Sequence, residues 1–158
     1  MTTDLSVFKE TDLEGLVSPI TFSLSANTTA QEALDLIRSN HSVRYVLYIT
    51  DDQNRLTGTV KLSDLLIADP EKTLGEIRED HQLITAGIHE DREEIAEKFR
   101  DYDLLSLPVT DDDGTLVGMI EYDDAIDILR EETTEDLILE LETVQMRHTR
   151  ALFGNLFL

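Results

Sequence analysis

The apolar positions of this chain change period twice, in the same order each time. Residues 21–25 alternate as a half-buried strand does, and Ala30, Ala33, Leu34 and Ile37 then fall at i, i+3, i+4 and i+7, one stripe along a helix. Asn27, Thr28 and Thr29 stand just ahead of that stripe as N-cap candidates. Residues 44–50 and 56–60 read as strands joined by the turn Asp51, Asp52, Gln53, Asn54. A short helix over 63–68 is closed by Asp69 and Pro70.

The second pass repeats the first. Residues 83–87 are strand-like, and Asp91 can cap a helix that places Ile95, Phe99 and Tyr102 on one face. Residues 105–110 and 116–120 are strands around Asp111, Asp112, Asp113 and Gly114, an Asp-Gly hairpin signal. A further helix begins near Asp123 with Ala125, Ile126 and Leu129 inward, and its pattern allows it to continue. Residues 45–66 align without a gap on 105–126, so Thr50 meets Thr110, Asp51 meets Asp111, Gly58 meets Gly118 and Asp64 meets Asp124. A period of about 60 residues is too long for a solenoid and suits two copies of one small α/β module. In the earlier helices the register slips by two, with Ile37 and Arg38 matching Phe99 and Arg100. The first copy therefore holds two extra residues around His41, Ser42 and Val43.

A three-stranded sheet this small cannot bury both of its apolar surfaces alone. The expectation is an α/β fold of two β-α-β-β-α repeats packed sheet to sheet, followed by an acidic, connecting helix. The boundaries read as a leader over 1–16 with Phe8, Leu13 and Leu16 as docking points, a first copy over 17–70, a second over 71–130, and an extension over 131–158.

Hydrophobic content of 41% is enough for a packed interior despite the charge. Cysteine is absent, so the chain carries no disulfide framework or thiolate metal site. No signal peptide is apparent and no stretch of about 18 apolar residues could span a bilayer. A net charge of −21 argues against a nucleic-acid partner, because phosphate repels such a surface. The charge is also uneven. Residues 111–142 hold 13 acids against one base, Arg130, whereas 143–158 hold no acid and carry Arg147, His148 and Arg150. A merely solvated, salt-adapted surface would spread its carboxylates more widely.

The element order and the Gly58…Asp64 and Gly118…Asp124 spacings resemble a tandem pair of CBS (cystathionine-β-synthase) domains over about residues 17–130. The run DREEIAEKFRDYDLLSLPVTDDDGTLVGMIEYDDAIDILREETTEDL is similar to the second CBS domain of MgtE-type magnesium channels, with EETTEDL as its most specific part. The resemblance implies a cytosolic magnesium sensor at the inner face of the membrane. In that family, ions between acidic surfaces hold a compact homodimer, and a connecting helix keeps the pore of a membrane domain shut, here in cis or in trans. The matching positions are Glu93, Asp103, Asp124, Asp127, Glu132, Glu135 and Asp136, all carboxylates. Residues 143–158 are then expected to begin the connecting helix. The family also places a helical domain before the pair and a membrane domain after it, so the expectation is an excised regulatory module or a free-standing relative.

The chemistry suits the ion. Mg²⁺ wants six hard oxygens and keeps several waters, so carboxylates in neighbouring pairs are sufficient. Asp123/Asp127, Asp124/Asp127, Glu132/Glu135 and Glu132/Asp136 lie three or four apart and share a face if the helix is continuous. Two such charges about 6 Å apart at an effective dielectric of roughly 20 repel by about 3 kcal/mol, less when solvated, and a divalent ion reverses the sign. Ca²⁺ could use the same oxygens, although the Asp111–Gly114 turn lacks EF-hand spacing.

The rival reading is a stand-alone module binding an adenine nucleotide, ATP or AMP. The family pattern is glycine, two residues, Ser/Thr, two more, then Asp. Here Asp64 and Asp124 keep the aspartate, while the hydroxyl positions have become Lys61 and Glu121. Lys61 could hold a phosphate and Glu121 would repel one, so a nucleotide should choose the cleft of Asp64 and Lys61. Four scattered histidines and the absence of a nucleophile elbow or phosphate loop argue against an enzyme.

Overall fold

A computed structural model of the chain describes residues 4–21, 23–41, 45–78 and 83–154. Within the final helix, the side chains of 132–137 and 148–154 lie outside that description. A 3₁₀ turn, Leu5–Phe8, opens the fold, followed by α1 (Ala30–Asn40), β1 (Val46–Thr50), β2 (Leu56–Lys61), α2 (Leu62–Ile67) and α3 (Leu74–Ile77). The second copy contributes β3 (Ala86–Gly87), α4 (Arg92–Tyr102), β4 (Ser106–Thr110), β5 (Leu116–Glu121) and α5 (Tyr122–Gly154).

The repeat is reproduced bond for bond in the hairpins. β1 and β2 are antiparallel with Ile49 opposite Gly58, and β4 and β5 are antiparallel with Val109 opposite Gly118. Both ladders slip at the same place, between Ile49 and Thr50 and between Val109 and Thr110. Each turn is built by one aspartate. Asp51 accepts from the amides of Gln53 and Arg55, and Asp111 from those of Asp113 and Thr115. The residue two before the second strand then takes a left-handed conformation, Asn54 at φ 60° and Gly114 at φ 83°, as the turn chemistry requires. The Arg55 amide, foremost among its partners, holds the half-buried Asp51 carboxyl below the ordinary aspartate range.

The long helices begin alike. Thr29 and Asp91 each accept from the amide three residues on while Glu32 and Glu94 reach back, two complete capping boxes. Each helix has 11 residues and ends on a left-handed residue, His41 or Asp103. The two-residue slip lies after these ends: residues 41–45 separate helix from strand in the first copy and 103–105 in the second. Of the stretch expected to hold the extra residues, Ser42 and Val43 lie outside the described residues.

Several sequence expectations change in detail. The strand expected over 21–25 is reduced to a bridge at Leu24, which exchanges two backbone bonds with Tyr48 and Thr50 before a turn at Ala26 and Asn27 ends the extension. The first sheet therefore has two strands, whereas the second has three in the order β3-β4-β5. The short helix starts one residue early, at Leu62, and α3 was not anticipated. Tyr102, expected on the inward face, is exposed as the last residue of α4. On α5 the fully buried pair is Ala125 and Ile128, three apart, while Ile126 and Leu129 flank them half-buried.

The sheets meet across Tyr48, Leu116 and Met119, and the Tyr48 hydroxyl shares a hydrogen bond with that of Ser106. The hairpin turns also bond to each other: the Leu56 amide donates to the Gly114 carbonyl and the Leu116 amide to the Asn54 carbonyl. The leader belongs to the second copy. Phe8, Leu13 and Leu16 are buried in its core with Ile95, Phe99, Leu107, Ile120 and Ile128. Arg92 secures that leader by donating to the backbone carbonyls of Asp12 and Glu14. Ser18 pairs with Met119 along the outer edge of β5. No helix among the described residues is long and apolar enough to cross a membrane.

Candidate functional site

Two clefts open between the copies, on either side of Val46, Leu105 and Ser106, which line both. The larger encloses about 670 Å³, a volume typical of small-molecule sites. One wall is built on the first core: Thr57, Gly58 and Thr59 of β2, Lys61 at its end, and Arg78 just after α3, a segment that the sequence reading counts with the second copy but that packs through Leu74 and Ile77 into the first core. The other is second-copy: Leu83, Ile84, Tyr102, Asp103, Leu104 and Pro108. Cations thus enter from one side, and an aromatic, largely apolar surface with one carboxylate, Asp103, from the other. The smaller cleft, about 240 Å³, is lined by Tyr45, Met119, Glu121, Tyr122 and Asp123, with carboxylates where the larger has cations.

Lys61 lines the larger cleft, but Asp64, half-buried in α2 one turn further on, is not among its lining residues. Arg78 and Tyr102 were missed. The available signal for Arg78 was the Thr73…Glu76 spacing, which closes a capping box around α3 and fixes where that arginine emerges.

The acidic positions fall into two groups. Glu93 and Asp103 lie at the start and end of α4, exposed; Asp124 and Asp127 lie on the first turns of α5, three apart and exposed. Asp124 accepts a hydrogen bond from the Ser18 hydroxyl at 3.4 Å. Asp103 also lines the groove where α4 meets α5, beside Arg100, Tyr122 and Leu129. The side chains of Glu132, Glu135 and Asp136 lie outside the described residues. Among the described residues no three acidic or imidazole groups gather as a metal cage. The donors present are hard carboxylate oxygens, the type suited to a largely hydrated Mg²⁺ or Ca²⁺ and not to a zinc-like ion.

The CBS domain family model matches residues 1–71 and 74–131. The chain is 34% identical over 136 residues to the magnesium transporter MgtE of Thermus thermophilus, covering 84% of this chain and 30% of that protein. It is 32% identical over 117 residues to the MgtE of Enterococcus faecalis, covering 72% of this chain and 26% of the relative. It thus spans about a third or less of the length of these curated relatives. The crystal structure of the cytosolic domain of the Mg²⁺ channel MgtE in complex with ATP superposes with a TM-score of 0.70 at 33% identity, covering 76% of this chain and 49% of that one.

Proposed function

The chain belongs to the CBS domain family, and on that premise we propose that it is the regulatory module of an MgtE-type magnesium transporter. In this reading it is not a catalyst. It works as a homodimer at the cytoplasmic face of the membrane, whose closed form is favoured when divalent cations occupy its acidic face. The observation that carries the proposal is the similarity to two MgtE transporters across most of this chain, and the carboxylates at the positions that the family resemblance implies fit it. Asp124 and Asp127 on α5, with Glu93 and Asp103 on α4, would hold the ion; Glu132, Glu135 and Asp136 follow on α5 and extend the set.

Without an ion these residues repel one another, since like charges at i,i+3 and i,i+4 destabilise a helix face and resist apposition of two such faces. Bound Mg²⁺ supplies the neutralising positive charge. The exposed Leu66 and Ile67 of α2 leave apolar surface available to a second copy. Helix α5 runs on as the connection toward a membrane domain.

Isothermal titration with Mg²⁺, paired with sedimentation in chelator and in excess Mg²⁺, tests this reading. The expected result is micromolar-to-millimolar binding that the double variant Asp124→Asn/Asp127→Asn weakens at least about tenfold, with dimerisation following occupancy. Identical scattering profiles and melting curves with and without Mg²⁺ would overturn it.

A second reading is favoured by the larger cleft, which offers cations on one wall and an aromatic surface on the other. That the similar MgtE cytosolic domain is solved in complex with ATP supports an adenine nucleotide as its ligand. ATP or AMP is then a second effector of the same module, or the sole effector of a stand-alone one.

A further inference from the structure

The larger cleft contains an arginine that the CBS nucleotide pattern does not use, and the fold goes to some length to place it. Helix α3 is only four residues long, yet its position is fixed from several sides. Leu74 is fully buried, its amide donates to the Thr28 carbonyl, and the Gly75 amide donates to the Ala26 carbonyl. A side chain at Gly75 would come within 3.2 Å of that Ala26 oxygen, so the close approach depends on glycine. The Arg78 amide then donates to the Leu74 carbonyl. Its backbone is anchored while its side chain extends over β2.

What it lies across is Gly58. A Cβ placed there would sit 3.2 Å from Arg78 Cδ and 3.6 Å from its Cβ. The missing side chain of Gly58 is therefore the space the arginine stem occupies, and it delivers the guanidinium into the cleft wall that Lys61 also lines. At Gly118, the equivalent glycine of the second copy, the space is taken by Val17, directly after the leader, with Phe8 of the leader beside it. The smaller cleft has Glu121 in place of Lys61.

We propose that Arg78, seated over Gly58, reads the phosphate chain of the ligand, so that the larger cleft selects nucleoside polyphosphates over nucleoside monophosphates and nucleosides. This rests on the nucleotide reading above. The planar, five-donor guanidinium suits phosphate oxygens, and Lys61 adds a point charge on the same wall. Tyr102, Leu83, Ile84 and Pro108 offer the opposite wall to the base. Asp103 lines the cleft too and repels a bare terminal phosphate, so selection depends on cations outweighing it.

Titration of the full chain with ATP, ADP, AMP and adenosine decides the matter. The wild type is expected to bind more tightly with each added phosphate. Arg78→Ala should lower ATP affinity by roughly 10- to 100-fold and leave adenosine affinity unchanged, which also shows that the variant is folded. Arg78→Lys should recover part of the loss, and Gly58→Ala, which displaces the arginine stem, should give a smaller loss graded by phosphate number. Equal weakening of all four ligands by Arg78→Ala, or unchanged ATP affinity, overturns the role of Arg78 while nucleotide binding stands. A wild-type chain that binds none of the four removes the nucleotide reading and this inference with it.

Discussion

The two copies share their hairpins to the residue yet cover the same glycine with different things. In the first copy the space beside Gly58 is filled by Arg78, a flexible polar side chain; in the second, the space beside Gly118 is filled by Val17 and the leader. One choice leaves a cleft with cations in its wall. The other closes a hydrophobic core around Phe8, Leu13 and Leu16. A duplicated scaffold thus repeats its local rules, and its division of labour comes from whatever segment crosses the glycine of β2 or β5.

The strongest way to break the comparison is to remove the leader's anchor. Phe8→Ala empties a site that is 2% exposed in the second core and is expected to cost about 3–5 kcal/mol in chemical denaturation. Hydrogen exchange should localise the loss to β4, β5 and α4, with the first copy protected longer. The paired glycine variants sharpen it next. A Cβ at Gly118 would stand 2.3 Å from Val17 Cγ1, so Gly118→Ala must displace the leader, at about 1–3 kcal/mol. Gly58→Ala meets only a movable arginine stem and should cost under about 1 kcal/mol by the same measurement. Equal costs at the two positions would contradict the assignment of leader and arginine to these roles. The smallest effects should be matched ones: Thr29→Ala and Asp91→Ala each remove a side-chain cap of the same kind and should each lower stability by about 1 kcal/mol.

The shared scaffold was legible in the sequence because its determinants are local. Period, capping residues and the aspartate-led turns specify α1, α4 and both hairpins without reference to anything distant. The long α5 was anticipated in outline as well, although its buried phase fell on Ile128 instead of Ile126. The features that differ between copies were harder to read because they are contacts across the fold. Four residues of α3 carry too little periodicity to announce a helix, so Arg78 passed unnoticed although Thr73 and Glu76 marked the cap. Helical spacing alone suggested an inward Tyr102, but as the last residue of α4 it is exposed and borders the cleft between the copies. For the acidic face, residue type was readable but assembly was not. Glu93 and Asp103 on α4 and Asp124 and Asp127 on α5 come from segments far apart in the chain, and their joint action with Glu132, Glu135 and Asp136 remains the proposal to be tested.

The mutual bonding of the two hairpin turns joins one segment from each copy. Because both turns belong to one chain, they meet by ring closure, with an effective concentration on the order of millimolar for a short tether. Closure of the two copies on each other therefore does not depend on how dilute the protein is.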